Sequence, residues 1–200
     1  MLVLVRHGRT QWNAQRRLAG RTDVPLDDVG RDQARRLGAA LGPVAELRSS
    51  PLVRATETAS LLGLACPVVL DEAFVELDYG AYEGVALADV DPAWWRALRD
   101  DPGARPPDGE TLEEVQRRVA AACDALFATA GAGARRDDGD VVVVSHVSPI
   151  KAAVAWALGG DARMALRLRL DNATLTTIDW GLDRPVLLRY NCPPDGADSP

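Results

Sequence analysis

The chain has 200 residues, of which 47% are hydrophobic and 26% charged, so it can bury the core of one sizeable soluble domain. Its formal net charge of -6 argues against a dedicated nucleic-acid or membrane-surface binder, because such proteins need a broad basic face. Three cysteines without a CxxC pair, and apolar runs too short for a signal peptide or a membrane span, favour a cytoplasmic protein with reduced thiols.

Strand and helix patterns alternate along most of the chain. In chain order we predict a strand at 2–5, helices at 30–41, 52–62, 111–129 and 148–158, a short strand at 44–47, a strand at 141–144, and late strands at 174–178 and 186–189. This alternation predicts an α/β fold, a three-layer α/β/α arrangement with a mostly parallel, mixed sheet flanked by helices on both faces. We expect one domain over residues 1–190, with residues 191–200 as a flexible tail.

Local signals mark where some of these elements begin. Thr111 and Glu114 form a capping box at the start of a helix. Ser148 followed by Pro149 predicts an N-cap and a first helical turn. The glycine-rich stretch at 131–136 follows a helix and lacks the third glycine of a nucleotide loop, so we interpret it as a linker.

The two histidines, His7 and His146, stand in the same context. Each follows a four-residue apolar run that predicts a strand buried on both faces, at 2–5 and at 141–144. Ligands of open α/β sheets bind at the carboxyl ends of the strands, so both histidines should lie at that edge. If the two strands are neighbours, the imidazoles converge.

The neighbours of His7 favour an anionic ligand. Arg6 offers a planar fork of donors that matches phosphate oxygens. Gly8 would allow the backbone to approach an anion closely. A surface ion pair for Arg6 is the alternative, but Arg6 directly follows a buried run.

Five segments, in order, resemble the signature of the histidine phosphatase superfamily in its phosphoglycerate-mutase-like branch, and the small broad-specificity and α-ribazole-phosphate phosphatases in particular. They are RHGRTQWN at 6–13 with Arg17, Gly20 and Asp23; SSPLVRATETA at 49–59; ELDYG at 76–80 with Glu83 and Gly84; PDGET at 107–111; and VSH at 144–146 with Lys151.

The resemblance implies a mechanism. His7 would be the nucleophile and form a phosphohistidine, which divides one difficult displacement into two easier ones. Arg6, Arg54 and His146 would stabilise the phosphoryl group, with His146 as an imidazolium. Glu76 would protonate the leaving oxygen and then deprotonate the attacking water. No metal ion and no organic cofactor would be needed.

Several assignments have alternatives. Asp78 or Glu83 could replace Glu76 as the acid, and Asn13 could donate to phosphate or be a plain turn residue. Arg17 and Arg21 could reach the substrate or only the surface.

The chain also departs from the family pattern at two positions. Val147 stands where glycine is expected, and Arg9, where glutamate or glutamine is commoner, would add positive charge near the entrance. Both departures bear on the substrate more than on the catalytic groups.

The sequence therefore predicts a phosphomonoesterase acting on a small phosphorylated metabolite, without a nucleic-acid or membrane partner. A homodimer could form along the late strands. The alternatives are a cofactor-dependent phosphoglycerate mutase, a protein phosphohistidine phosphatase, and a non-catalytic module that senses phosphorylated metabolites. The mutase is disfavoured because the segment between Glu76 and Thr111 is short in comparison with that of the mutases.

Overall fold

The centre of the fold is a six-stranded mixed sheet, in a computed structural model that describes residues 1–130, 139–180 and 184–194. The strands are β1 (Leu2–Arg6), β2 (Val44–Ser49), β3 (Val68–Leu70), β4 (Asp140–Ser145), β5 (Leu175–Asp179) and β6 (Val186–Cys192). Their order across the sheet is β3-β2-β4-β1-β5-β6. The first four are mutually parallel, β5 is antiparallel to β1, and β6 is antiparallel to β5.

Helices cover both faces of this sheet. They are α1 (Gln11–Ala14), α2 (Asp28–Ala39), α3 (Val53–Leu61), α4 (Pro92–Asp100), α5 (Leu112–Ala130) and α6 (Val147–Ala157), with 3-10 turns at Glu72–Phe74, Gly80–Tyr82 and Ala162–Arg167. Because side chains alternate along a strand, Leu2 and Leu4 of β1 pack in one core with α5 and α6, while Val3 and Val5 pack in another with α2 and α3. The predicted three-layer α/β/α architecture is confirmed.

The register of the central strands determines which side chains meet at the carboxyl edge. Arg6 at the end of β1 pairs with Ser145 at the end of β4. The next residues are therefore His7 and His146, side by side, with the His7 backbone N–H donating to the Ser145 carbonyl oxygen at 3.1 Å. The two strands are neighbours, which is the condition on which the expected convergence of the two histidines depended, and the rings do come together.

The predicted capping box of α5 is present. The Thr111 hydroxyl accepts from Glu114 N–H at 3.2 Å, and the Glu114 carboxylate accepts from Thr111 N–H at 2.9 Å. Helix α2 begins two residues earlier than predicted, because the Asp27 carboxylate caps it by accepting from Gly30 N–H at 2.8 Å.

The prediction that Ser148 caps α6 is wrong. The helix already begins at Val147, and His146 is its N-cap residue with no side-chain capping bond. The exposed N–H groups are instead satisfied by Glu76, which lies 71 positions earlier in the chain.

Two late strands exist as predicted, and β6 forms one edge of the sheet. Asn191 and Cys192 belong to this strand rather than to the predicted tail. The linker predicted at 131–136 and the end of the chain at 195–200 lie outside the described residues. Within the parts of the chain that are described, no helix combines the length and apolarity needed to cross a bilayer.

Candidate active site

The two histidine rings lie together, buried at the carboxyl edge of the sheet. Their centroids are 5.0 Å apart and their planes are inclined by 57°. Both side chains are buried, although histidine is only intermediate among the residue types in how often it is buried. Two buried imidazoles at strand ends, beside arginines, are the arrangement that the sequence pattern predicts.

The hydrogen bond of His7 selects its tautomer. Its Nδ1 lies 2.7 Å from the carbonyl oxygen of Gly8, which can only accept, so Nδ1 carries the proton. Nε2 then holds the lone pair, and no described residue is hydrogen-bonded to it. Burial, and then the positive charges of Arg54 and Arg6, hold the pKa of His7 well below its ordinary value. The ring is therefore neutral and nucleophilic at Nε2.

His146 is neutral as well. Arg54 can only donate, and its Nε–H lies 3.2 Å from Nδ1 of His146, so Nδ1 is the acceptor and Nε2 donates to the Ser50 hydroxyl at 2.7 Å. Burial, followed by Arg54, lowers the pKa of His146 well below its ordinary value. This geometry contradicts the predicted imidazolium, because a cationic ring would face the guanidinium of Arg54 with no carboxylate among the described residues bonded to it.

Neutral buried histidines predict a loss of stability in acid. In the unfolded chain both rings take up protons near pH 6.5, whereas the folded protein keeps them neutral to a lower pH. The unfolded state thus binds more protons below that value, and the free energy of unfolding should fall by up to about 1.4 kcal/mol per pH unit per histidine. Urea unfolding between about pH 7 and about pH 5.5 measures this slope.

The matched control is His7→Ala, which removes one of the two buried titrating rings. Its unfolding free energy should depend less steeply on pH than that of the wild-type chain. The difference in slope should be up to about 1.4 kcal/mol per pH unit, which corresponds to one proton fewer taken up on unfolding. Identical slopes in the two proteins would show that His7 is not held neutral.

Arg54 is anchored by the loop before α2. It lies on the first turn of α3, is buried, and donates from Nη1 to the Thr22 carbonyl at 2.9 Å and from Nη2 to the Gly20 carbonyl at 2.6 Å. Burial is the main cause that lowers its pKa. These bonds and the one to His146 hold the guanidinium in a single orientation beside the histidines.

Arg6 keeps free donors. Its Nη1 donates to the Leu170 carbonyl at 2.6 Å, while Nε is buried without a hydrogen-bond partner among the described residues. Burial lowers the pKa of Arg6 to about 10, so it stays cationic at neutral pH. A buried donor without a partner is rare in proteins and fits a site that receives an anion.

Glu76 lies against the start of α6. Its buried carboxylate accepts from the N–H groups of Val147 and Ser148, each at 3.1 Å, and from Leu77 N–H at 2.8 Å. The helix N-terminus attracts a carboxylate there. Because Val147 contributes a backbone N–H, its side chain in place of the expected glycine leaves this contact intact.

The two alternative acids have other contacts. Glu83 accepts from the N–H groups of Arg21 at 2.7 Å and Thr22 at 2.9 Å, and from the Thr22 hydroxyl. It thereby fixes the loop whose carbonyls hold Arg54. Asp78 accepts from Gly80 N–H at 2.8 Å. Glu76 is the one of the three that contacts the residues next to His146.

Asn13 is held beside the site. Its Oδ1 accepts from Thr10 N–H at 3.0 Å and from Asn172 Nδ2 at 3.1 Å, and Asn172 also donates to the His7 carbonyl at 3.4 Å. No described residue accepts from Asn13 Nδ2, so this donor remains available.

Gly8 has a role different from the predicted one. Its N–H donates to the Thr58 hydroxyl at 3.1 Å, and a Cβ on Gly8 would lie 2.3 Å from the carbonyl oxygen of Gly30. The missing side chain therefore permits close packing of the loop on α2, and the N–H is not free for an anion.

The guanidinium groups of three further arginines are bonded to other parts of the protein. Arg17 donates to the Gly84 carbonyl at 2.6 Å, and Arg21 pairs with Glu110 at 3.2 Å. The predicted positive charge of Arg9 at the entrance is paired with Asp27 at 2.8 Å. None of the three has a described contact with either histidine.

Sequence reasoning gave no role to three contacting residues: Ser50 and Thr58, which lie in the motif block at 49–59, and Asn172. Ser50 follows β2 directly, as His7 follows β1, so the same rule about strand ends could have found it. Thr58 and Asn172 carried no comparable local signal, because their partners are Gly8 and the His7–Asn13 pair, far away in sequence.

A family model described as "Histidine phosphatase superfamily (branch 1)" matches residues 2–193. The chain belongs to this superfamily. The bifunctional protein Rv2228c of Mycobacterium tuberculosis is 37% identical to it over 193 residues, covering 91% of this chain but 50% of that protein. The probable phosphoglycerate mutase GpmB of Cronobacter sakazakii is 36% identical over 188 residues, covering 90% and 84%. The chain thus spans half the length of the mycobacterial relative.

Solved structures show the same fold over nearly the whole chain. The mycobacterial glucosyl-3-phosphoglycerate phosphatase Rv2419c has a TM-score of 0.84 at 30% identity, covering 95% of this chain and 98% of that one. A candidate α-ribazole-5′-P phosphatase from Escherichia coli has a TM-score of 0.81 at 27% identity, covering 95% of each chain. The predicted resemblance to this superfamily, and to phosphatases of this kind, is confirmed.

Proposed function

We propose that this protein is a phosphomonoesterase that hydrolyses small phosphate esters through a phosphohistidine at His7. The observation that carries the proposal is a neutral His7 whose Nε2 lone pair has no partner among the described residues, next to Arg6, whose buried Nε has none there either. The phosphatases and the phosphoglycerate mutase among its relatives support a phosphoryl-transfer site.

The first half-reaction transfers the phosphoryl group to the enzyme. Nε2 of His7 attacks phosphorus, so that an N–P bond forms while the ester O–P bond breaks. Glu76 enters this step in its protonated form and gives its proton to the leaving oxygen. Arg6 and Arg54 place two positive charges on the phosphoryl oxygens, where phosphoryl transfer needs them most. Asn13 Nδ2 adds a neutral donor.

The second half-reaction returns the enzyme to its starting state. Water attacks phosphorus, Glu76 takes the water proton, and the N–P bond breaks to release inorganic phosphate. His146 orients Arg54 by accepting its Nε–H. Direct contact of His146 with the phosphate stays a prediction.

The proposal includes independence from metal ions, because two guanidiniums supply the charge that a cation would otherwise provide. Hydrolysis of p-nitrophenyl phosphate should proceed in excess EDTA at a rate within about twofold of that without chelator. Loss of activity in EDTA, restored by a divalent cation, would contradict this part of the proposal.

Mutase activity is the second candidate, since GpmB of Cronobacter sakazakii is named a probable phosphoglycerate mutase. A mutase returns the phosphoryl group to the reoriented product instead of to water. Conversion of 3-phosphoglycerate to 2-phosphoglycerate, stimulated by 2,3-bisphosphoglycerate and faster than phosphate release, would favour the mutase over the phosphatase.

A further inference from the structure

Arg118 lies on α5, outside the proposed catalytic set, and its guanidinium is bonded to the segment that carries Glu76. Its Nη1 donates to the Ala73 carbonyl at 2.6 Å, and its Nη2 donates to the Glu76 carbonyl at 3.3 Å. Only 20% of the Arg118 side chain is exposed, so these bonds are less weakened by water than those of a surface arginine. The main chain of Glu76 is thus held by α5, while its carboxylate is held by α6.

Glu110, the residue before the capping box of α5, holds this guanidinium in one orientation. Its two carboxylate oxygens accept from Nε and Nη2 of Arg118 at 2.9 and 3.0 Å, a bidentate pairing that fixes the plane of the guanidinium. Glu110 is also tied to the segment that carries Glu76, because its backbone N–H donates to the Asp78 carbonyl at 2.9 Å. The pair therefore directs the other N–H groups of Arg118 at the two carbonyls.

The main chain around Glu76 depends on such side-chain bonds. Residues 75–79 belong to neither a helix nor a strand, so no regular ladder of hydrogen bonds fixes the peptide of Glu76. Arg118 supplies donors in place of a ladder, and the Ser145 hydroxyl supplies another, to the Phe74 carbonyl at 2.7 Å. A shift of about 1 Å in a group that transfers a proton can lower the rate by about 100-fold. The orientation of the acid is therefore sensitive to Arg118.

From these contacts we propose that Arg118 is a positioning residue for proton transfer. Oriented by Glu110, it holds the backbone of Glu76 so that the carboxyl reaches the leaving oxygen. This inference rests on the proposed function, since it takes Glu76 as the general acid. A residue that acts through Glu76 affects the step that needs the proton and leaves the charges of Arg6 and Arg54 in place. Its loss should therefore depend on the leaving group, as does the loss of Glu76 itself.

The test compares Arg118→Met and Arg118→Lys with a matched control, Arg117→Met. Methionine has no N–H donors, and lysine keeps the charge without the planar fork. Arg117 precedes Arg118 on the same helix, is exposed, and has no hydrogen bond or ion pair with a described residue. For each variant kcat/KM is measured with phenyl phosphate and p-nitrophenyl phosphate, which share a ring and differ in how much the departing oxygen needs a proton. Urea unfolding establishes that each variant is folded.

We expect Arg118→Met to lower kcat/KM about tenfold or more for phenyl phosphate, and less than about threefold for p-nitrophenyl phosphate. Arg118→Lys should show most of the same difference between the esters, and it decides the question by the same criterion if Arg118→Met does not fold. Arg117→Met should change neither value by more than about twofold. Equal losses for the two esters in the Arg118 variants would assign Arg118 to general stability and overturn the inference, while the proposed function would stand.

A double variant tests whether Arg118 acts through Glu76. On the Glu76→Gln background, Arg118→Lys should cause no further loss that depends on the leaving group, because the acid that it positions is already absent. A further loss for phenyl phosphate alone would also overturn the inference. Hydrolysis of p-nitrophenyl phosphate but not phenyl phosphate by the wild type would remove the acid and with it the inference. Hydrolysis of neither ester would overturn the proposed function as well.

Discussion

Replacing His7 with alanine should reduce turnover of p-nitrophenyl phosphate by about 10⁴-fold or more. The change removes the neutral imidazole whose Nε2 carries the free lone pair, and the neighbouring His146 has both ring nitrogens engaged, by Arg54 and by Ser50. No other described side chain is placed to accept the phosphoryl group, so only slow attack by water would remain. Steady-state release of p-nitrophenolate measures the effect.

The control for this change is His146→Gln, which removes the other buried ring. The loss of turnover in His146→Gln should be smaller than in His7→Ala, because His146 orients Arg54 and does not become phosphorylated. Both variants need a cooperative urea transition like that of the wild type, so that misfolding is separated from lost chemistry. Activity of His7→Ala above about one hundredth of the wild-type rate would reject His7 as the nucleophile.

Replacing Glu76 with glutamine should slow the enzyme most for poor leaving groups. Val147 and Ser148 donate to different carboxylate oxygens of Glu76, and glutamine preserves one of these acceptors as its carbonyl oxygen, so the start of α6 remains partly capped. Glutamine cannot give a proton to an alkoxide. We expect a loss of about 10²- to 10⁴-fold in kcat/KM for an alkyl phosphate, and a much smaller one for p-nitrophenyl phosphate, whose leaving group departs without help.

Glu83→Gln is the matched control for that substitution. Glu83 belongs to the same sequence block, but it fixes the loop that anchors Arg54 instead of contacting α6. Its removal should weaken transition-state binding equally for both esters. The assignment of Glu76 fails if Glu76→Gln loses the same factor for alkyl and p-nitrophenyl phosphates.

The main elements and the position of the site could be predicted from local patterns. The two apolar runs predicted buried strands, and the residues after them lie at the edge where parallel strands end, so the placement of His7 and His146 followed from one rule. The motif blocks added Arg54 and Glu76, which the structure places beside those histidines.

Other features depend on contacts between distant parts of the chain. The start of α6 is determined by Glu76. The neutral state of His146 is due first to burial and then to Arg54, which lies 92 positions earlier. The role of Gly8 depends on the backbone of α2 packing against it. Likewise, the charge of Arg9 is paired with Asp27, which a list of charges along the sequence does not reveal.

Arg17 and Arg21 illustrate the same limit for site residues. Both lie within the first motif block, yet their side chains bond to the segment around Gly84 and Glu110. Proximity in sequence to His7 therefore did not predict contact with it, because both guanidinium groups have acceptors elsewhere in the protein.

The most direct test is to trap the phosphoenzyme and locate the phosphoryl group. Wild type and Glu76→Gln are mixed with p-nitrophenyl phosphate, quenched without acid because phosphohistidine is acid-labile, and digested for mass spectrometry. The account predicts one phosphoryl group on His7, accumulating in Glu76→Gln because the base that activates water is missing. A phosphoryl group on another residue, or hydrolysis by the wild type with none on the protein in either form, would contradict it.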